Sequence, residues 1–342
     1  MKILLAVACA FAVAAVPASA TLLIPPDGYL ATDTQFPVAP GAYVGGFDID
    51  PNGNFIVFNG GDIQEITRTG SIVRTILSVG DGVSGSFIKV RGDRIYYGES
   101  TNGTIGEIGL DGFDHRVITT LSYNYDFDFD PLGRAFVVTG SAFGAPASTV
   151  VHLLDLNTGV TDEIAGIDGP SGPIAFDQAG SLYYGTVSSV FGARGGQSVL
   201  SWTASQINTA IGSGNLTAQD AAVMASDIDS PAGFAWGFGG DLYFTSVVAS
   251  PGNIWRVSDG AGLLLASVNP EIGISWLTTL RYDSATDSLS TAAGWMDANW
   301  NTYSAIASLT PVPEASSLGM LAGMMGLLAT RRRWVAQKKG QK

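Results

Sequence analysis

The chain has 342 residues, of which 46% are hydrophobic and only 14% are charged, and its formal net charge is −13 at pH 7. A chain of this length and apolar content can bury a full core, which excludes disorder as its default state. The acidic balance argues against a nucleic-acid-binding protein, which needs a basic surface, and against adhesion to anionic lipid.

The charge is unevenly distributed along the chain. All thirty acidic residues lie between positions 21 and 314, together with only ten of the seventeen basic residues, so this region carries a charge near −20. Glycine accounts for 44 of the 342 residues, well above an ordinary usage of roughly 7%, and most of these glycines are spread through the same region. Such a distribution indicates many tight turns rather than one flexible linker.

The first twenty residues have the three parts of a secretory signal peptide. Lys2 provides the positive charge, an apolar run follows from Ile3 to Val16, and Pro17-Ala18-Ser19-Ala20 provides the small residues of a cleavage site. We expect cleavage after Ala20, because the apolar run is too short for a permanent membrane span. Cys9, the only cysteine, lies in this segment, so the mature chain has no disulfide.

Residues 40 to 310 repeat one pattern, in which a short apolar strand, a turn with Asp and Gly, and a second apolar strand follow each other. The clearest copies are residues 46–58, 125–138 and 172–184. Turn markers recur at intervals of 39, 41, 47, 60 and 47 residues, which is the spacing of propeller blades. These markers are Gly53, Gly92, Gly133, Gly180, Gly240 and Asp287.

The second half of each period adds another pair of strands around turns at residues 68–70, 111–112, 157–159 and 258–260. Four strands per period predict an all-β, six-bladed β-propeller-like domain over residues 21–310, with a β-sandwich or a solenoid as alternatives. A helix is predicted at Ala204 to Ile211 and at Ala218 to Met224, as an insertion that explains the 60-residue interval. Ring closure predicts that residues 29–43 pair with residues 304–309.

The Asp-Pro-x-Gly-x-apolar blades resemble the NHL and gluconolactonase-like six-bladed propellers. That resemblance implies carboxylates and amides at the starts of the innermost strands, where they would gather a divalent ion over the channel. Only Asp126, Asp229 and Glu271 could contribute charge there, and the full ligand set of the family is not recognisable. The corresponding positions are near Gly46, Gly85, Asn124 to Asp126, Ser171, Asp229-Ser230 and Glu271.

Other chemistry finds little support in the sequence, and no catalytic residue is assigned. His115 and His152 are the only histidines, so a zinc site with the usual ligands is not expected. The segment Asp48-x-Asp50-x-Asn52-Gly53 begins like a calcium loop but has Asn59 at the twelfth position instead of a bidentate Glu. A hairpin turn explains the segment without any metal and is the favoured interpretation. No cofactor is predicted beyond weak binding of Ca²⁺.

Large aromatic residues are frequent late in the chain. They are Trp255, Trp276, Trp295, Trp300 and Tyr303. Exposed aromatic faces often bind carbohydrate, whereas propeller cores use large aromatics between blades, and the strand pattern favours core packing here.

The end of the chain has a pattern of its own. Val312-Pro313-Glu314 is followed by an apolar run from Leu318 to Ala329 and by Arg331-Arg332-Arg333. This segment, residues 311–342, resembles the PEP-CTERM sorting signal, also known as the ice-binding-protein C-terminal domain, although Ala315 replaces its usual second proline. The resemblance implies a short hydrophobic helix that holds the chain transiently in the inner membrane, with the arginines cytoplasmic, until exosortase removes it.

Together these features predict a protein exported to the cell surface or the extracellular matrix, associated there with exopolysaccharide or biofilm. Signal peptidase and exosortase would act on it during export, leaving a mature chain from near Thr21 to near Glu314. A non-enzymatic binding or structural module, with a polysaccharide or a surface protein as partner, is the favoured interpretation. The alternative is a propeller hydrolase or lactonase that depends on a divalent metal.

Overall fold

A computed structural model describes residues 21–38, 44–80, 82–140, 148–190, 193–214, 216–246, 251–272, 274–296 and 302–312. The predicted signal peptide lies outside the described residues, and so does the sorting segment from Pro313 onward, including Glu314, Arg331, Arg332 and Arg333. Within the described ranges, no helix is long and apolar enough to cross a membrane.

The strands form six antiparallel sheets, five with four strands and one with five, which are the blades of a ring. From the channel outward, blade 1 contains β3 (Val44–Ile49), β4 (Phe55–Asn59), β5 (Asp62–Ile66) and β6 (Ile72–Ser78). Blade 2 contains β7 (Gly85–Arg91), β8 (Arg94–Glu99), β9 (Thr104–Gly109) and β10 (Arg116–Thr120). Blade 3 contains β11 (Asn124–Phe129), β12 (Ala135–Thr139), β13 (Ser148–Leu154) and β14 (Thr161–Asp168).

Blades 4 to 6 continue the same order. Blade 4 contains β15 (Ile174–Phe176), β16 (Leu182–Gly185), β17 (Gln197–Trp202) and β18 (Ala222–Ile228). Blade 5 contains β19 (Pro231–Trp236), β20 (Leu242–Ser246), β21 (Asn253–Ser258) and β22 (Ala261–Val268). Blade 6 contains β23 (Ile274–Asp283), β24 (Ser288–Met296) and β25 (Thr302–Pro311). The predicted six-bladed propeller is therefore confirmed.

The first described residues close the ring. Strand β2 (Tyr29–Gln35) pairs with β25 from Tyr29 opposite Pro311 to Gln35 opposite Ala305, so the N-terminal segment provides the outermost strand of blade 6. This confirms the predicted closure for residues 29–35. A second strand, β1 (Leu23–Ile24), adds to the outer edge of blade 5 by pairing with β22, which the sequence pattern did not predict. We call residues 21–35 the clasp.

All six predicted marker turns connect the first and second strands of their own blades. Gly53, Gly133 and Gly180 have φ near +84°, a conformation that favours glycine. In these turns an aspartate accepts the backbone N–H of the residue four positions later at 2.8 Å: Asp50 from Asn54, Asp130 from Arg134 and Asp177 from Ser181. The turn aspartates thus hold the hairpins.

The predicted insertion lies in blade 4, between β17 and β18. Helix α1 (Ala204–Ala210) begins at Thr203 with a capping box in which Thr203 and Gln206 satisfy each other's backbone N–H groups. The second predicted helix is wrong: only Ala218–Asp220 is helical, as a 3-10 turn, and β18 then begins at Ala222. Pairing with β17 decides the conformation there, because tertiary context overrides the weak helical preference of this alanine-rich segment.

Neighbouring blades are joined at their outer strands by two arginines in equivalent positions. Arg74 forms an ion pair with Glu65 at 2.8 Å and donates to the carbonyl of Asp111 in blade 2 at 3.0 Å. Arg116 repeats this with Glu107 at 2.8 Å and the carbonyl of Leu156 in blade 3 at 2.6 Å. The glutamates are buried, so each arginine neutralises a buried charge and links two blades.

His152 makes the stability of blade 3 depend on pH. It is buried on β13, its Nε2 lies 2.9 Å from Thr139 Oγ1, and its Nδ1 has no partner in the described part of the chain. Burial lowers the pKa of His152, an effect that the nearby charge of Glu163 partly opposes. Protonation therefore favours the unfolded chain, and stability falls as the pH drops below the unfolded pKa of about 6.5.

We expect a His152→Gln variant to lose less stability between pH 7 and pH 5 than the parent protein, measured by urea unfolding at both pH values. His115→Gln is the control, because His115 is exposed and contacts Tyr97 at 2.7 Å near the rim of blade 2. Equal pH dependence in the parent and the His152 variant would contradict this assignment.

Candidate functional site

The first strands of the six blades, β3, β7, β11, β15, β19 and β23, contact one another in sequence and surround the central channel. Their inner edges leave backbone N–H groups without a partner strand, and buried N–H groups need acceptors. Aspartates of the preceding blade supply them. Asp48 Oδ2 accepts from Val90 N at 2.7 Å, Asp126 Oδ2 from Ile174 N at 2.9 Å, and Asp128 Oδ2 from Phe176 N at 3.1 Å.

This arrangement separates the carboxylates that resembled a calcium loop. Asp48 binds the neighbouring blade, whereas Asp50 binds the backbone of its own turn. Both residues therefore use carboxylate oxygens as acceptors for the protein backbone, which is the hairpin alternative stated for this segment.

Two basic side chains neutralise the channel aspartates. Lys89 Nζ lies 2.5 Å from Asp128 Oδ1, and Arg281 Nε lies 3.5 Å from Asp48 Oδ1. Arg281 also donates to the carbonyls of Leu280 at 2.9 Å and Ile88 at 3.0 Å. Its Nε is at ion-pair distance from Asp48 but forms no hydrogen bond within the described residues, because the geometry is unfavourable at this separation. The guanidinium is thus a buried cation that retains one free donor.

A cavity of about 190 Å³ lies at the starts of these inner strands. Glycines on three blades make room for it, because they have no side chain, and most of the other lining residues are polar or charged. The lining residues are Val44, Gly45, Gly85, Ser86, Ser100, Asn124, Tyr125, Asp126, Ala232, Gly233, Thr278, Thr279 and Arg281.

Asp126 is the carboxylate of this cavity. Burial raises the pKa of Asp126, and this effect exceeds the opposing effects of Arg281 and of the backbone N–H groups of Ile174 and Phe127. Burial also raises the pKa of Tyr125, whose hydroxyl donates to the carbonyl of Ala232 at 3.2 Å. A carboxyl with a raised pKa beside a guanidinium in a cavity is a frequent property of functional sites.

Asn124 and Ser86 complete the polar wall. The Ser86 hydroxyl donates to Asn124 Oδ1, and the Asn124 amide donates to the carbonyls of Leu121 at 3.1 Å and Glu99 at 3.2 Å. The orientation of the Asn124 amide is therefore fixed by three groups, and Ser86 retains its oxygen as an acceptor.

The structure separates the three carboxylates proposed from the sequence. Asp126 lines the cavity, but Asp229 and Glu271 do not. Asp229 accepts from Gly195 N at 3.0 Å, in the connection between β16 and β17, and Glu271 lies on the 3-10 turn Pro270–Ile272. Across the described ranges, no three His, Cys, Asp or Glu side chains come together as a group that could hold a metal ion.

Other positions implied by the resemblance divide in the same way. Gly85 and Asn124 line the cavity, whereas Gly46, Ser171 and Ser230 do not. Ser230 accepts from Ser188 N at 3.0 Å, so blade 4 engages it much as it engages Asp229. Arg281 was missed at the sequence level; the signal available was a basic residue within the apolar strand around Leu280.

The late aromatic residues pack against other rings. Trp255 stacks on Phe244 with ring centroids 6.2 Å apart, and Trp295 stacks on Tyr303 at 5.5 Å. Trp300 lies outside the described residues. Trp255 and Trp295 also pack against core clusters, in agreement with the core-packing interpretation, whereas Tyr303 is 41% exposed and does not fit it.

A larger groove of about 660 Å³ lies on the outer part of blade 3. Its polar groups are engaged locally: Asp155 accepts from Asn157 N and Thr158 N, which lowers the pKa of Asp155, and Arg134 binds Asp130 and Asn208. The central cavity is the better candidate, because a buried carboxylate, Asp126, and a buried cation, Arg281, both line it.

The fold and the cavity define a six-bladed β-propeller with a polar channel site. No protein-family model matches the sequence, and a comparison with curated proteins found no significant match. Solved structures resemble it in fold. A protein assigned to the gluconolactonases has a TM-score of 0.56 and 12% identity, covering 84% of this chain and 93% of that chain.

Two further structures are similar to a comparable degree. The PQQ-bound aldose sugar dehydrogenase from Streptomyces coelicolor has a TM-score of 0.52 and 12% identity, covering 84% of this chain and 100% of that chain. A nidogen/laminin complex has a TM-score of 0.53 and 14% identity, covering 70% and 84%. These identities establish the propeller fold and nothing about ligands.

Proposed function

We propose that this chain is an exported β-propeller whose central cavity binds a small, uncharged, polyhydroxylated molecule. The observation that carries this proposal is a glycine-lined cavity in which the buried cation of Arg281 and the carboxylate of Asp126 lie together with the polar side chains of Asn124 and Ser86. Hydrogen-bond donors and acceptors in one cavity suit a ligand with hydroxyl groups, each of which can donate and accept.

The size of the cavity limits the ligand. A cavity of about 150 Å³ holds one benzene molecule, so the 190 Å³ here suits a compact molecule such as a monosaccharide or a sugar lactone. Two of the similar structures carry names that refer to such compounds, a gluconolactonase and an aldose sugar dehydrogenase. We therefore place the ligand in this chemical class.

The two ends of the sequence support an exported role. A signal peptide and a PEP-CTERM-like tail, with Arg331, Arg332 and Arg333 as its basic cluster, support processing by signal peptidase and exosortase. We propose that the mature propeller lies at the cell surface or in the matrix, where sugars from exopolysaccharide are available as ligands.

Processing is tested by intact-mass measurement on exported material. We expect a chain that begins near Thr21 and ends near Glu314, because an apolar run of about twelve residues is too short for stable anchoring. A mass that still includes Arg331 to Lys342 would contradict processing of the tail. It would leave the proposed cavity ligand unaffected.

A propeller hydrolase or lactonase is the second candidate, and the two enzyme-named structures favour it over a purely structural module. The described residues do not fit a divalent ion, because Asp126 is the one carboxylate on the cavity and Arg281 already supplies a positive charge beside it. Catalysis in this cavity would therefore depend on Asp126 as a proton acceptor and on Arg281 as a partner for developing negative charge.

Ligand binding is tested by calorimetry with glucose and δ-gluconolactone, using the mature protein and two variants. Asp126→Asn should weaken binding at least tenfold, because a charge-assisted hydrogen bond in the cavity is lost. Asp229→Asn is the matched control and should leave binding unchanged, since Asp229 lies outside the cavity. Equal effects of both variants, or no binding of either compound, would contradict the proposed site.

The same samples separate binding from catalysis. Hydrolysis of δ-gluconolactone above the uncatalysed rate, lost in Asp126→Asn and insensitive to EDTA, would establish the enzymatic candidate. Activity that requires added Ca²⁺ would show that a metal site was overlooked. Binding without turnover would establish the binding module.

A further inference from the structure

Asp33 carries a carboxylate oxygen that the described part of the protein does not use. It lies on β2 of the clasp, where its Oδ2 accepts from Leu22 N at 2.7 Å. Its Oδ1 is buried and has no hydrogen-bond partner among the described residues. Burial raises the pKa of Asp33, an effect that the bond from Leu22 partly opposes. A buried carboxylate oxygen without a donor is costly, so the site calls for a further donor.

Asp33 lies where the two strands of the clasp are joined, so a hydrogen-bond donor to its free oxygen would stabilise the clasp. Strand β1 extends blade 5, strand β2 completes blade 6, and the bond between Leu22 and Asp33 joins the two halves of the clasp. Leu22 and Leu23 are buried in a core cluster with Leu277 and Leu309, and the carbonyl of Leu22 accepts from Asn269 N at 2.8 Å. Thr21 therefore directly precedes the segment of the clasp that is buried and hydrogen-bonded to blades 5 and 6.

We infer that Asp33 is the binding site for the α-ammonium group that cleavage after Ala20 creates at Thr21. Three covalent bonds separate the backbone nitrogens of Thr21 and Leu22, so they lie less than about 4 Å apart, and Leu22 N already contacts this carboxylate. The inference rests on the predicted cleavage site. It is independent of the cavity ligand.

Cleavage would then change the energetics of ring closure. In the precursor, the nitrogen of Thr21 is a neutral amide, whereas in the mature chain it is an amine with an ordinary pKa of about 7.7–8.0 and carries a positive charge at neutral pH. A charge-assisted hydrogen bond is shorter and stronger than a neutral one. Removal of the signal peptide therefore strengthens the clasp that closes the propeller, so closure is coupled to export.

The test compares two forms of the chain from Thr21 to Lys342. In one, a site-specific protease removes a leader and leaves a free amine at Thr21, and in the other Ala-Ser-Ala precedes Thr21, as in the precursor. We expect the extended form to melt about 2–4 °C lower at pH 7, the shift that a loss of one modest interaction produces in a chain of this size. In Asp33→Asn, the two forms should melt at the same temperature.

Asp27→Asn is the matched control, because Asp27 lies in the same segment but is exposed. It should preserve the difference between the two forms. A difference that persists in Asp33→Asn, or that is absent from the parent protein, would overturn the inference.

The dependence on pH provides a second readout that also works if Asp33→Asn fails to fold. Pairing with Asp33 raises the pKa of the amine in the folded state, so the stabilisation is complete below the unfolded pKa and is lost as the pH rises through the folded one. Rates of amine acylation as a function of pH report the pKa of the Thr21 amine directly. We expect a value above 8, and an ordinary or lowered value would overturn the inference.

Discussion

An Arg281→Met variant should lose about 3–5 kcal/mol of unfolding free energy at pH 7, because removing one partner of a buried ion pair leaves an uncompensated charge. Arg281 is 9% exposed, lies 3.5 Å from Asp48 and provides the positive charge that opposes the raised pKa of Asp126. The variant also loses the bond to the Ile88 carbonyl, which connects blade 6 to blade 2. Guanidinium unfolding at pH 7 measures the loss.

The matched control is Arg256→Met. Arg256 lies 3.3 Å from Asp241, but both side chains are more than 40% exposed, and solvent screens pairs of this kind. We expect a cost of about 0–1 kcal/mol for the control. Similar losses in the two variants would show that the channel does not depend on its buried cation. The cost of Arg281→Met should also shrink at pH 4, where Asp126 takes up a proton more readily than an exposed carboxylate.

A Leu23→Ala variant should cost about 3–5 kcal/mol, the range measured for large-to-small changes at fully buried sites. Leu23 has no exposed surface and packs in the core cluster that contains residues of blades 5 and 6. Truncation therefore leaves a cavity where β1, at the outer edge of blade 5, packs against residues of blade 6. Unfolding followed by tryptophan fluorescence is a suitable measurement.

Leu30→Ala provides the comparison within the same clasp. Leu30 is 57% exposed on β2, so its truncation should change stability by no more than about 0.5 kcal/mol. A large loss in Leu30→Ala, or a negligible one in Leu23→Ala, would show that the buried packing of β1 does not anchor the clasp. A weakened clasp also exposes the edge of β25, so we expect Leu23→Ala to aggregate faster on mild heating.

These variants test contacts that the sequence alone did not reveal, whereas the blades themselves could be predicted from the sequence pattern. Hairpins such as the one around Gly53 are local, because an aspartate, a glycine with positive φ and two apolar strands all lie within about a dozen residues. The 60-residue interval correctly located the insertion that contains α1. Pairing of β2 with β25 followed from closure, since a ring without free edges must join its two ends.

The site depended on contacts between residues far apart in the chain. Asp126 and Asp229 look equivalent in sequence, yet Asp229 binds the backbone near Gly195, and only Asp126 lies on the cavity. Arg281 reaches Asp48 and Ile88 across more than 190 positions, a distance over which no local pattern carries information.

Features that depend on interactions between residues close in sequence could be predicted, and features that depend on contacts between distant residues could not. Turn chemistry and strand alternation act over a few residues, so the sequence by itself determined the six-bladed propeller. The cleavable leader and the sorting tail at the two ends stay predictions. Strand β1, with two residues, has too short a pattern to predict and exists because β22 offers it an edge. Which charges face the channel, and which carboxylate is left with a free oxygen, was decided by the tertiary structure alone, because both depend on how six separate blades meet around one axis.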